Sequence, residues 1–265
     1  MRGEALRTGV AVVLLLFGGA CLAELPPDGG SQGTAAYPEA EAAAAWQGLA
    51  AGYVRQALKD RTLDKDAALN ARIDTVMDAV GAAAAAIDSR FAKSTWSAIL
   101  IDDFGLGAAA FPGAVILVDA KFVRRLQLND DELALILSHE AAHVIAGHAA
   151  AKLAFMAAFV GKEKLPTARA ALVEFFAKDS YVAVFQPEAR QQEREADRVG
   201  AAIFLATGYD APRALGLFDK LAKLETPEDG QAADSHDGAQ VRKQIIAGVI
   251  AELQQHHARR APLPR

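Results

Sequence analysis

Along this chain, apolar residues recur with the spacing of helices far more often than with the alternation of strands. Over residues 37–60, and again over 66–87, Ala-rich sequence with spaced Leu, Ile, Val and Met predicts two amphipathic helices. The run 82–86 is all Ala, which favours helix without marking a face. Helical spacing returns over 130–159, 167–185, 188–206, 211–224 and 240–255. Two short runs read as strands, 96–101 and 114–118, with a Gly-containing loop over 102–113 between them. The fold class is therefore α+β and helix-dominated, with a small β-sheet. No internal repeat breaks the order, and after residue 34 the linker-like stretches are loops near Pro166 and over 225–238. One domain over residues 36–265 is the simplest partition.

The amino terminus follows a different rule. Arg2 and Arg7 precede an apolar run, 10–17, which is followed by Gly18-Gly19-Ala20-Cys21. Residues 1–20 thus have the layout of an export signal, and the run is far shorter than the roughly 20 residues of a membrane-spanning helix. Cys21, the only cysteine among 265 residues, directly follows three small residues. The arrangement is similar to a lipobox and makes Cys21 the expected lipidation site; Gly18 stands where Leu is commonest, and the alternative is ordinary cleavage at a small residue such as Ala20 or Ala23. An acylated Cys21 holds a protein on a membrane without a helix crossing it. Residues 21–35, which include Pro26-Pro27-Asp28-Gly29-Gly30, read as a flexible tether. The expected location is the periplasm, and Leu22 in place of an Asp after the cysteine favours the outer membrane.

Composition narrows the picture further. A hydrophobic content of 52% with 23% charged residues is ample for a packed core. Net charge is −5 and no long Lys/Arg run precedes the last few residues, so the electrostatic footprint of a nucleic-acid partner is missing. A lone cysteine excludes an internal disulfide framework. The apolar run 149–160 spans about a dozen residues and carries Lys152, so a buried helix is expected there, not a membrane span.

Chemistry concentrates in His139-Glu140-Ala141-Ala142-His143. On a helix the two imidazoles share one face and can grip one Zn²⁺, while Glu140 is left to act on a water. The helix has a firm start: Asn129 can cap it, Glu132 falls at the capping-box position, and Leu133, Ile136 and Leu137 supply a buried face. A third ligand is offered downstream by Glu193-Arg194-Glu195-Ala196-Asp197. Glu193 and Asp197 lie on one helical face, so Glu193 can ligate zinc while Asp197 bonds the outer nitrogen of a ligand histidine. Glu195 is turned roughly half-way round that helix and reads as a solvated neighbour. His148 is expected to pack or to make a contact behind the ligands.

The combination His139-Glu140-x-x-His143 with Glu193-x-x-x-Asp197, preceded by Phe111-Pro112-Gly113-Ala114-Val115-Ile116-Leu117-Val118, resembles the zinc endopeptidase family that includes HtpX and the CAAX prenyl endopeptidase. The resemblance covers residues 98–242 and is strongest to the soluble, exported lipoprotein members of bacterial envelopes. It implies a zincin-like fold, one zinc per chain held by His139, His143 and Glu193, and Glu140 as general base. Ser235-His236-Asp237 and Arg242 look like the family's late Ser/Thr-His-Pro segment and trailing Arg, with Asp237 replacing the Pro. On that resemblance His236 can close over the metal as a fourth ligand and Arg242 helps organise the substrate site. By its chemistry alone, His236 could equally donate to a developing oxyanion. The family's Asn-Ala-Phe stands here as Ala109-Ala110-Phe111, so that Asn's role is lost or supplied differently.

The strand at 114–118 is expected at the sheet edge, where an extended peptide can add main-chain hydrogen bonds. The expected function is zinc-dependent cleavage of unfolded or misassembled envelope proteins. The alternative is a chaperone or assembly-factor lipoprotein that uses the same groove without hydrolysis.

Overall fold

The computed structural model describes residues 36–224 and 238–260. The export signal, the tether with Cys21, and Ser235-His236-Asp237 lie outside them. Helices α1 (Glu39–Asp60) and α2 (Ala67–Ile87) stand where the Ala-rich spacing predicts. Asp66 caps α2, its carboxylate accepting from the N–H groups of Ala68 and Leu69.

Three strands follow: β1 (Ser97–Ile101), β2 (Ala108–Phe111) and β3 (Val115–Asp119). Their order is β1-β3-β2, with β3 parallel to β1 and antiparallel to β2. This corrects the expected edge strand: the segment at 114–118 is central, and the edge near it is β2, inside the stretch read as a loop. Ala108-Ala109-Ala110 has neither the branched side chains nor the alternation by which a strand is recognised, so pairing with β3 alone defines it.

The sheet is covered on both sides. Ile116 and Val118 of β3 join one apolar cluster with α2, while Leu117 joins a second with Trp46 of α1. Burial on both faces explains why β3 reads as a continuous apolar run. Asp119 then caps a short helix the spacing did not predict, α3 (Ala120–Arg125), accepting from Phe122 N–H and, at 2.6 Å, from Gly105 N–H.

Helix α4 (Asp130–Ile145) has the predicted capping box: Asn129 accepts from Glu132 N–H, and the Glu132 carboxylate accepts from Asn129 N–H. Glu132 is buried and pairs with Lys220. The helix does not run on to residue 159. Gly147, at φ 71°, stops it in the left-handed region, and the next helical segment leaves at 50°. That segment is α5 (His148–Met156) followed by a π-helical turn (Ala157–Gly161). Among the described residues no single helix is long and apolar enough to cross a membrane.

Helices α6 (Ala168–Ala177) and α7 (Asp179–Thr207) replace the two predicted over 167–185 and 188–206. The break falls at Lys178, whose backbone is extended, and Pro187 sits inside a helix of 29 residues. A proline removes one hydrogen bond from such a helix, but packing on both sides of it holds α7 together. Phe185 and Ala189 lie in the second cluster; Ala196, Ala201, Ile203 and Phe204 lie in the first. Past α7, the segment 211–224 divides at Leu215 into α8 (Ala211–Ala214) and α9 (Gly216–Ala222), and α10 (Ala239–Arg260) closes the described fold.

Candidate metal centre

Helices α4 and α7 meet backbone to backbone. A Cβ on Gly200 would stand 2.9 Å from His139 Cα, closer than real Cβ contacts come, and 3.1 Å from His139 N, which is also tight. With a glycine there, the preceding turns of α7 bring Glu193 and Asp197 against the two histidines of α4. The His139 and His143 Nε2 atoms are 3.1 Å apart, and each faces one oxygen of Glu193, at 3.2 and 3.5 Å respectively.

Those spacings test whether a metal fits. Four donors at Zn–N and Zn–O bond lengths around a tetrahedral ion lie about 3.3 Å from one another. The two Nε2 atoms are 3.1 Å apart and the Glu193 carboxylate approaches them through different oxygens, at 3.2 and 3.5 Å, so the donors crowd together on the scale of that value. With one donor atom taken from each residue, His139, His143 and Glu193 lie within 4.8 Å of one another, and two imidazoles with one carboxylate fit a three-residue zinc set that leaves a position for water.

Asp197 stands behind His139, its Oδ1 3.0 Å from His139 Nδ1. The same oxygen accepts from Arg242 Nη2 at 2.9 Å, and both residues are buried. The Arg242 guanidinium also lies over the Phe218 ring, 5.5 Å from its centroid. Arg242, expected at the substrate site, is thus linked to His139 through Asp197. It also lines the cavity beside the centre with Ala108, Phe122, His139, Glu140 and Leu217. Glu140 is half-buried and lines that cavity, as does Ala108, the first residue of the edge strand.

The field at the centre is strong. Burial opposes protonation of His139, but Asp197 and Glu193 outweigh it and hold the metal-free imidazole's pKa up at about 10. Burial likewise opposes ionisation of Glu193, yet His143 and His139 hold its carboxyl well below the usual carboxylate range. Burial lowers the Lys152 amine against the opposing pull of Glu193 and Glu140. Sequence reading treated Lys152 only as a charge within an apolar run; no local signal connects it to this field.

Two neighbours complete the surroundings. His148 is buried, and its Nδ1 lies 2.9 Å from His143 Nδ1, so it makes the contact behind the ligands that was expected of it. Glu195, read as a solvated neighbour, is 59% exposed yet places Oε2 3.4 Å from His148 Nε2. Helix periodicity turned Glu195 away from the site correctly; what it could not supply is the position of α5 on that side.

Two histidines and a glutamate that could hold a metal, with Glu140 beside them and a small sheet in a helical fold, are the arrangement of a zincin-type metallopeptidase. The chain belongs to peptidase family M48, whose model matches residues 67–257, from the start of α2 into α10. Members of this family depend on a metal, typically zinc. The chain is 24% identical over 158 residues to a protein named mitochondrial metalloendopeptidase OMA1 from Arabidopsis thaliana, covering 58% of this chain and 31% of that protein. It is 27% identical over 190 residues to a putative beta-barrel assembly-enhancing protease from Vibrio cholerae, covering 64% of this chain and 36% of that protein. The chain thus spans about a third of the length of these relatives.

Gly200→Ala should push α7 off α4, destabilising the fold by about 1–3 kcal/mol and weakening zinc binding. Gly48→Ala, where no atom lies within 4 Å, is the control and should be neutral or slightly stabilising. Denaturant titration and metal analysis read both outcomes. A second expectation follows from His139, which is protonated in the metal-free protein below about pH 10. Zinc needs the neutral ring, so binding at neutral pH must expel that proton, and affinity must rise with pH until about 10. Calorimetry in buffers of different ionisation enthalpy should return close to one proton released per zinc from this group; identical heats in every buffer would contradict it.

Proposed function

We propose that this metallopeptidase is a zinc endopeptidase of the bacterial cell envelope, acting on unfolded or misassembled exported proteins. The observation that carries the catalytic part is the convergence of His139, His143 and Glu193 within 4.8 Å of one another, with Glu140 on the helix of the two histidines. One Zn²⁺ in that set supplies Lewis acidity, polarising a carbonyl and making a water acidic near neutral pH. Glu140 accepts the proton of the attacking water and hands it to the departing amine. Asp197, clamped by Arg242, keeps the Nε2 lone pair of His139 directed at the metal. No covalent intermediate is needed.

Substrate is held by its backbone. Strand β2 pairs with β3 on one side, and among the described residues no strand pairs with its other side. Gly107 and Ala108, where β2 begins, border the same cavity as His139 and Glu140. An extended peptide added to that edge lies alongside the metal and is recognised by main-chain hydrogen bonds, which suits unfolded segments of many sequences. His236, six residues before Arg242, would serve either as the fourth ligand that its family resemblance implies or, by its chemistry alone, as a donor to the oxyanion.

The envelope setting draws support from two sources. One is the relative named for beta-barrel assembly, and the other is the run of Arg2, Arg7 and the apolar residues before Cys21. In this reading Cys21 is acylated and holds the enzyme on the periplasmic face of a membrane, the outer one being favoured.

Glu140→Gln should keep stoichiometric zinc and lose casein cleavage by about 10²–10⁴-fold. Cleavage at the wild-type rate would remove Glu140 from the mechanism. Equal rescue of an envelope-assembly defect by wild type and Glu140→Gln would instead assign the cellular role to holding, not cutting. Cys21→Ser should move the protein from the membrane to the soluble periplasmic fraction; unchanged membrane fractionation would overturn the lipid anchor.

A further inference from the structure

The two ligand histidines are held from behind in different ways. Nδ1 of His139 faces a carboxylate, Asp197, which is buried and clamped by Arg242. Nδ1 of His143 faces another imidazole: His148 Nδ1 is 2.9 Å away, and the far nitrogen of His148 lies 3.4 Å from Glu195 Oε2. The break between α4 and α5 makes this contact. On an unbroken helix, His148 would be turned about 140° from His143. The left-handed Gly147 and the 50° bend instead bring the rings to a centroid distance of 4.9 Å with an interplanar angle of 73°. The same bend lays α5 beside the face of α7 that carries Glu195, about 200° round from Glu193.

Two Nδ1 atoms at hydrogen-bond distance cannot both donate. A metal ligand needs the lone pair of His143 on Nε2, which leaves its proton on Nδ1, donated to His148 Nδ1. His148 then carries its own proton on Nε2, where the acceptor is the Glu195 carboxylate. An acceptor-only group at the outer end sets the direction of the whole chain. The opposite direction would leave a proton on His143 Nε2, aimed at His139 and Glu193, and would close the site to a cation.

We propose that His148 and Glu195 are positioning residues that hold His143 in the tautomer and orientation of a metal ligand. Neither touches metal or substrate. The arrangement makes the two ligand arms unequal. The His139 arm ends in a buried ion pair, whereas the His143 arm passes through a ring that is 5% exposed to a carboxylate that is 59% exposed. The inference rests on the zinc reading of the site.

The test is zinc affinity of the full chain, measured by competition with a chromophoric chelator, with circular dichroism to confirm folding. His148→Ala should weaken zinc about 10–100-fold, the usual effect of losing such a contact. His148→Asn sets an amide oxygen where Nδ1 was, so it keeps the acceptor for His143 but loses the link to Glu195, and should recover most of that affinity. Glu195→Gln should weaken zinc by a smaller factor in the wild type and leave it unchanged in the His148→Asn background. That dependence is not expected of a residue that merely supports the fold. Zinc affinity unchanged in His148→Ala, or a Glu195→Gln effect that is equal in both backgrounds, would overturn the inference alone. A wild type that binds no zinc would overturn it together with the metal site.

Discussion

The chemistry of this molecule depends on one distance, that between the backbones of α4 and α7 where Gly200 passes His139. The stripe of α7 that faces α4 is Glu193, Asp197, Gly200 and Phe204, spaced by four, three and four residues as one helical face requires. Its first half is acidic and supplies ligand and support; its second half is apolar and anchors the helix in the core. The glycine between them lets both halves seat at once. A side chain there would hold the carboxylates away from the imidazoles, and ligand distances tolerate only a fraction of an ångström.

Close approach also creates an electrostatic problem. Glu193 and Asp197 are both nearly excluded from water, where an unpaired carboxylate is very unfavourable. Each is compensated differently. Asp197 has the Arg242 guanidinium and the His139 ring as partners whether or not a metal is bound. Glu193 is in contact with the two imidazoles and feels the Lys152 amine from further off, with no guanidinium clamped on it as Asp197 has. The metal site is thus the part of the core whose charge balance is completed by what binds there.

Much of this was legible in the sequence, and the limits follow physical lines. His139, Glu140 and His143 lie within one helix, and Glu193 and Asp197 within another, so spacing alone assigns each pair a face. The capping box at Asn129 and Glu132 is equally local, and it stands as read. Features that depend on what lies across the fold were not legible. β2 is a strand because β3 lies beside it, since its three alanines would suit a helix better. The bend at Gly147 was hidden by apolar spacing that continues through it, and Pro187 marked a boundary that packing on two clusters overrides. Glu195 was placed correctly on its own helix and still misread, because its partner arrives from a different one.

The length of α7 has one more consequence. Because one helix serves both apolar clusters, and β3 is buried between them, neither cluster can melt without disturbing the other. Partial unfolding, which in many proteins frees a loose arm at low energy, is thereby tied to loss of the whole fold. For a peptidase this bears on self-digestion: among the described residues, a stretch of α7 or β3 comes within reach of a neighbouring copy's cleft only when both clusters open together.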